Sequence, residues 1–212
     1  MDTKSHAIAD AFTHYLISQQ PSDHLVKVVN LLLSGDLTRK AFDKLDEDLG
    51  LQHPPAYKEE LLDLILFYIE YCLKDHAMTS EEMLSMHQLK LLFRIEAGDF
   101  YEFKWKEVKE LLASEMGRIL IDKSVNQTEA LHQADLQRAF DLGYDQYLEL
   151  TKEHIEKIVD DLCDQITADE IVTEGERGEL LQKLIALDSV FRLSAKQKKI
   201  IFRGGGVAHT TS

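Results

Sequence analysis

The chain has 212 residues, of which 44% are apolar, and it contains only three prolines and ten glycines. This composition excludes a globally disordered chain and favours long helices, because few residues interrupt them. The formal net charge of −14 makes nucleic acid and anionic lipid poor ligands, since the phosphates of both would be repelled.

The first 55 residues are predicted to form a separate helical segment of three short helices. We expect these helices near residues 4–19, 23–34 and 37–48. Ser22 is the expected N-cap of the second helix, and Gly35 is expected to end it. The stretch His53-Pro54-Pro55 separates this segment from the repeats, because a proline pushes the preceding residue out of helical conformation. A hinge between subdomains and a corner within one bundle are both compatible with it.

The sequence carries no sign of secretion or of a membrane span. The N-terminal stretch lacks the apolar region of a signal peptide. The most apolar stretch, residues 61–73, is interrupted by Asp63 and Glu70 and is shorter than the about 20 residues that a transmembrane helix needs. Cys72 and Cys163 match neither a disulfide framework nor a zinc-binding spacing. We therefore expect a cytoplasmic protein.

Residues 56–202 contain a pattern that recurs every 47 residues. Asp75, Asp122 and Asp169 open the similar stretches DHAMTSEE, DKSVNQTE and DEIVTEGE. The fifth position is an N-cap residue and the eighth is a glutamate, which gives the pairs Thr79 and Glu82, Asn126 and Glu129, and Thr173 and Glu176. This spacing is typical of a capping box, in which the cap and the glutamate each bond the other's backbone N–H. We predict helices that begin near residues 79, 126 and 173, with the three glutamates acting as caps.

The helix before each of these loops carries an apolar face. Counting back 3, 6, 10 and 14 residues from each aspartate always gives an apolar residue: Cys72, Ile69, Ile65 and Leu61; Ile119, Met116, Leu112 and Val108; Ile166, Cys163, Val159 and Ile155. Steps of three and four place each set on one side of a helix. We therefore predict that these side chains are buried and that both cysteines are buried thiols.

The helix after each loop carries a second apolar run. These runs are Leu89, Phe93 and Ile95; Leu136, Phe140 and Leu142; and Leu187, Phe191 and Leu193. Gly98-Asp99, Gly143 and Ser194 follow them and mark the next breaks. We predict that Phe93, Phe140 and Phe191 are buried together with the apolar faces. The chain is thus expected to be all-α, a multi-helix bundle with three tandem 47-residue helix–loop–helix repeats, followed by a flexible tail over 203–212.

The loop carboxylates leave two interpretations open. Gln127 and Gln133 stand where an EF-hand calcium loop needs Gly and Glu, which excludes a standard EF-hand. A looser divalent-metal site could instead share six carboxylates, Asp75, Glu82, Asp122, Glu129, Asp169 and Glu176. Helix capping explains the same residues without an ion. The sequence contains no HExxH motif, nucleophile elbow or phosphate-binding loop, so no catalytic residue and no organic cofactor are assigned.

The recurring unit resembles the loop of the tellurite-resistance TerB family. The matching residues are Asp75, Met78, Thr79 and Glu82; Asp122, Val125, Asn126 and Glu129; and Asp169, Val172, Thr173 and Glu176. His76, Lys123 and Glu170 stand where the family usually has glycine. The resemblance covers residues 56–202. It implies a helical module of a bacterial stress-response or defence-associated complex rather than an enzyme.

Three functions from different classes are compatible with these patterns, and the least favoured of them is an enzyme whose site is built from scattered residues. The first is a helical adaptor that binds another protein, with a basic partner surface favoured by the negative charge. The second is a metal-responsive protein that uses the loop carboxylates. The candidate partner surface is Phe100, Tyr101 and Trp105, because aromatics crowded into one short segment cannot all face one core. Packing of a second helix over them is the alternative. A basic cluster at Lys196, Lys198, Lys199 and Arg203 is interpreted as a cation-rich helix end, with a site for an anionic partner as the alternative.

Overall fold

All regular structure in the described part of the chain is helical, which confirms the all-α class. The computed structural model describes residues 7–50, 55–75, 78–121, 134–167, 175, 178–182, 184–185 and 193–204. The helices are α1 (Ile8–Ser18), α2 (Asp23–Ser34), α3 (Arg39–Leu49), α4 (Pro55–Cys72), α5 (Ser80–Phe93), α6 (Asp99–Phe103), α7 (Trp105–Ile121), α8 (134–139), α9 (Tyr144–Thr167) and α10 (Ala195–Gly204). A 3₁₀ turn at Leu73–Asp75 follows α4, and residues 178–182 are also helical.

The three N-terminal helices are present as predicted, although one of the caps differs. Gly35 ends α2 in the left-handed conformation, with φ of 78°, as expected. Ser22 occupies the N-cap position, but its hydroxyl lies 3.2 Å from Nε2 of His24 and does not cap the backbone. Thr38, which no sequence pattern above singles out, caps α3 by accepting the N–H of Ala41 at 3.3 Å.

The chain divides into two compact units. The first comprises Met1–Leu111 and Ala130–Gly143, and the second comprises Leu112–Glu129 and Tyr144–Ser212. The division falls inside α7, whereas the boundary predicted after residue 55 lies within the first unit. The separate N-terminal segment therefore stays a prediction about the sequence.

Helix α4 is the central element of the first unit. Its residues 61, 62, 64–66, 68, 69 and 72 are all buried, so apolar side chains cover nearly its whole circumference. Phe12 of α1 stacks on Tyr68 with ring centroids 6.2 Å apart, and Phe42 of α3 contacts Phe93 of α5 at 5.3 Å. No helix among the described residues is long and apolar enough to cross a membrane.

The second unit has its own core, which is formed by side chains of α7 and α9 together with two leucines that lie between α9 and α10. The side chains that form it are Met116, Ile155, Val159, Leu162, Cys163, Leu184 and Leu193. Tyr147 directs its hydroxyl at Sδ of Met116, 3.8 Å away. Burial raises the pKa of Tyr147, because ionisation would place a charge in an apolar environment.

The predicted apolar faces are buried wherever the structure describes them. Ten of the twelve positions before the loops are buried; the side chains of Ile119 and Ile166 lie outside the described residues. Phe93 and Phe140 are buried as well, and Phe191 lies outside the described residues. Both cysteines are free and buried, as predicted, and burial raises the pKa of Cys72 to about 12. That the three segments are copies of one unit stays a prediction.

The first of the three predicted capping boxes is present. Thr79 precedes α5, and its hydroxyl accepts the N–H of Glu82 at 3.2 Å. Oε2 of Glu82 in turn accepts the backbone N–H of Thr79 at 2.6 Å. The boxes predicted at 126 and 173 lie outside the described residues. Ser194 and Gln197 form another box at α10, where Oε1 of Gln197 accepts the N–H of Ser194 at 2.9 Å.

The Glu82→Ala substitution is expected to lower the free energy of unfolding by about 0.5–2 kcal/mol, because it removes half of the capping box. Chemical denaturation of the variant measures this loss. Glu81→Ala is the matched control, since Glu81 lies in the same helical turn but is exposed. Equal losses in both variants, or a fall in wild-type melting temperature on chelation, would contradict the capping role of Glu82.

Candidate interaction surface

The segment Asp99–Trp105, here called the α6 corner, is held in a defined conformation. Two left-handed residues, Arg94 with φ of 57° and Gly98 with φ of 97°, turn the chain between α5 and α6. Glycine adopts such a conformation without steric cost. The Asp99 carboxylate accepts the N–H of Glu96 at 2.7 Å and closes the turn.

Two ion pairs attach the α6 corner to α4. Nζ of Lys58 lies 2.7 Å from Oδ2 of Asp99, and Nζ of Lys104 lies 2.6 Å from Oδ1 of Asp63. Asp99 and Lys104 are 7% and 6% exposed, so each pair has one buried member. Burial raises the pKa of Asp63, and the Lys104 ammonium opposes this rise. The sequence pattern predicts only a break at Gly98-Asp99 and gives no sign of either pair.

The structure separates the three aromatic residues of the candidate partner surface. Phe100 is fully buried, with its ring edge-to-face against Phe140 at 5.4 Å. Its ring therefore belongs to the core of the first unit and is not accessible to a partner. Tyr101 is half-buried, and Trp105 is 45% exposed, which confirms that at least one aromatic of this segment points away from the core. The accessible part of the surface consists of Tyr101 and Trp105.

The charges beside Trp105 are mixed. Glu102 and Glu107 are exposed on either side of it in the sequence. Nζ of Lys106 lies 5.8 Å from the centroid of the Trp105 ring, a distance typical of a weak cation–π contact. The α6 corner thus presents an indole ring among solvated charges of both signs.

Glu82 is the one candidate metal ligand of the six whose side chain lies in the described part of the chain. Oε2 of Glu82 accepts the N–H and, at 2.9 Å, the hydroxyl of Thr79, and Glu82 is 1% exposed. Within the described residues, no group of three or more His, Cys, Asp or Glu side chains could hold a metal ion. The contacts of Glu82 are those of a helix cap. The metal-responsive function stays a prediction.

An ion pair near Phe100, formed by buried Lys90 and exposed Asp141, is not predicted by any sequence spacing. Nζ of Lys90 lies 2.6 Å from Oδ2 of Asp141 and 5.5 Å from the Phe100 ring. Burial lowers the pKa of Lys90, and the Asp141 carboxylate opposes this change. One sequence feature could have indicated this pair: Lys90 stands inside the apolar run LKLLF of α5, and a buried lysine needs a partner.

Comparisons with models of protein families, with curated proteins and with solved structures find no match to this chain. The resemblance to the TerB family therefore depends on the residues of the loops alone and stays a prediction.

Proposed function

We propose that the protein is a non-enzymatic helical interaction module whose α6 corner binds another protein. The observation that carries the proposal is the 45% exposure of Trp105 at the end of a segment attached by two partly buried ion pairs. Tryptophan and tyrosine are favoured anchors of protein interfaces. Because the corner is already ordered, a partner that covers the indole ring does not have to order the backbone as well.

The charge of the chain supports a partner with a basic surface. At a formal charge of −14, long-range attraction speeds encounter with a basic protein and disfavours an acidic one. Association should weaken as salt rises, because exposed charges are screened beyond about 8–10 Å at physiological ionic strength. The cellular setting that we propose, a bacterial stress-response or defence-associated complex, comes from the TerB resemblance.

Replacing both Tyr101 and Trp105 with alanine is expected to weaken partner capture by at least about tenfold while the fold is retained, because both side chains are at least partly exposed. Affinity purification from the native host with the wild-type chain identifies the partner, and quantitative mass spectrometry compares the yields. Thermal melting of each variant checks the fold.

Leu84→Ala is the matched control for this experiment. Leu84 is 60% exposed on α5, so its replacement removes accessible apolar surface away from the α6 corner. We expect the control to capture the partner as well as the wild type. Equal capture by the Tyr101→Ala/Trp105→Ala variant, or unfolding of that variant, would show that the α6 corner is not the interface.

A further inference from the structure

A groove of about 980 Å³ lies between α9 and α10 of the second unit. Its apolar lining comes from Leu148, Ile155 and Val159 of α9 and from Leu193 just before α10. Ile155, Val159 and Leu193 form the buried floor, whereas Leu148 is half-buried. Tyr144, which is 54% exposed, adds accessible apolar surface at the start of α9.

Carboxylates run beside this apolar stripe. Each of the four follows an apolar or aromatic residue directly in the sequence, in the pairs Tyr144-Asp145, Leu148-Glu149, Ile155-Glu156 and Val159-Asp160. Since neighbouring residues are about 100° apart on a helix, the acidic row lies along one edge of the apolar row. Lys152 is the only lysine or arginine among the described lining residues. The groove therefore combines an apolar floor with an acidic edge.

Helix α10 is held in place as the opposite wall of the groove. The capping box of Ser194 and Gln197 fixes its first turn. Nε2 of Gln197 also donates to Oδ1 of Asp160 at 3.2 Å, which joins α10 to α9. The two walls are thus connected by a direct hydrogen bond.

We propose that this groove binds an amphipathic helix of a partner protein, with apolar residues on one face and lysine or arginine on the flanks. Apolar anchors spaced at helical intervals fit a groove between two helices. The four carboxylates favour a cationic flank, and an acidic segment would be repelled. This inference rests on the proposed function, because it assumes that the partner is a protein with a basic surface. It adds a second contact site, which lies in the second unit.

The test uses the full chain and a labelled helical peptide of about 14 residues, with leucines on one face and lysines on the other. Fluorescence anisotropy should show salt-sensitive binding of this peptide and no binding of the matched peptide that carries glutamate for lysine. Glu149→Lys/Glu156→Lys should weaken binding by at least about tenfold. Glu47→Lys/Asp48→Lys, an equal change of charge at exposed positions of α3, should weaken it by less than about threefold.

Two further variants separate the possible outcomes. Glu149→Gln/Glu156→Gln should also weaken peptide binding, because it removes the same two charges. It tests these carboxylates even if the lysine variant misfolds. Thermal melting checks the fold of both variants. If the α3 control weakens peptide binding equally, the peptide is attracted by net charge alone. That result would contradict binding in the groove. Tyr101→Ala/Trp105→Ala should leave peptide affinity unchanged. Loss of binding in that variant would place the peptide at the α6 corner and contradict this inference while supporting the proposed function.

Discussion

Replacing Phe140 with alanine is expected to lower the free energy of unfolding by about 3–5 kcal/mol. Phe140 is fully buried and packs edge-to-face on Phe100. The substitution therefore removes this aromatic contact and leaves a cavity beside the Phe100 ring. Chemical denaturation followed by circular dichroism measures the loss.

Ile17→Ala is the control for this substitution. Ile17 is 80% exposed, so its truncation should change stability by less than about 0.5 kcal/mol. A loss below about 1 kcal/mol for Phe140→Ala would place Phe140 at the periphery of the core and contradict the account of the first unit.

Asp141→Asn is expected to cost about 1.5–3 kcal/mol, because it leaves the buried Lys90 ammonium without its charged partner. Lys90 has a side chain only 6% exposed, and its Nζ has one further acceptor, the carbonyl oxygen of Arg138, at 3.3 Å. Asparagine is a suitable replacement because Asp141 has φ of 52°, a conformation that asparagine tolerates. Denaturation at neutral pH measures the cost.

The double variant Lys90→Met/Asp141→Asn provides the control, since it removes the buried charge together with its partner. It should be more stable than Asp141→Asn alone. If the double variant is the less stable of the two, the unpaired charge is not the cause of the loss.

The stability of Asp141→Asn should also depend on pH. Burial already lowers the pKa of Lys90, and removal of the carboxylate lowers it further. The unfolded chain then binds more protons than the folded chain just below the unfolded pKa of about 10.4. Stability therefore rises with pH in this window, and the difference from the wild type in the free energy of unfolding should shrink as the pH approaches about 10.4. If the difference in the free energy of unfolding stays constant over this pH range, the unpaired charge of Lys90 is not its cause.

Local patterns predicted the elements that depend on neighbours in the sequence. The apolar steps of α4, α7 and α9 identified side chains that are buried wherever they are described. Thr79 and Glu82 predicted the start of α5, because the capping box depends on residues only three positions apart. Gly35 and Gly98 likewise mark turns that need a left-handed residue.

Features that depend on long-range pairing could not be predicted in this way. Lys90 and Asp141 are 51 positions apart, and Lys58 and Asp99 are 41 apart, so no sequence spacing connects them. With 38 acidic residues in the chain, the sequence does not indicate which carboxylate each lysine meets. The burial of Phe100 could not be predicted for the same reason, because its contact with Phe140 depends on tertiary packing and not on neighbours in the sequence.

The most direct test of the proposed interface uses Trp105 as the reporter, because it is the only tryptophan of the chain. Its 45% exposure predicts ready quenching by acrylamide in the free protein. When a tryptophan-free fragment of the captured partner saturates the chain, the emission should shift to shorter wavelength and the quenching constant should fall by at least about twofold. Emission and quenching that stay unchanged at saturation would show that the partner leaves Trp105 uncovered and would contradict the proposed function of the α6 corner.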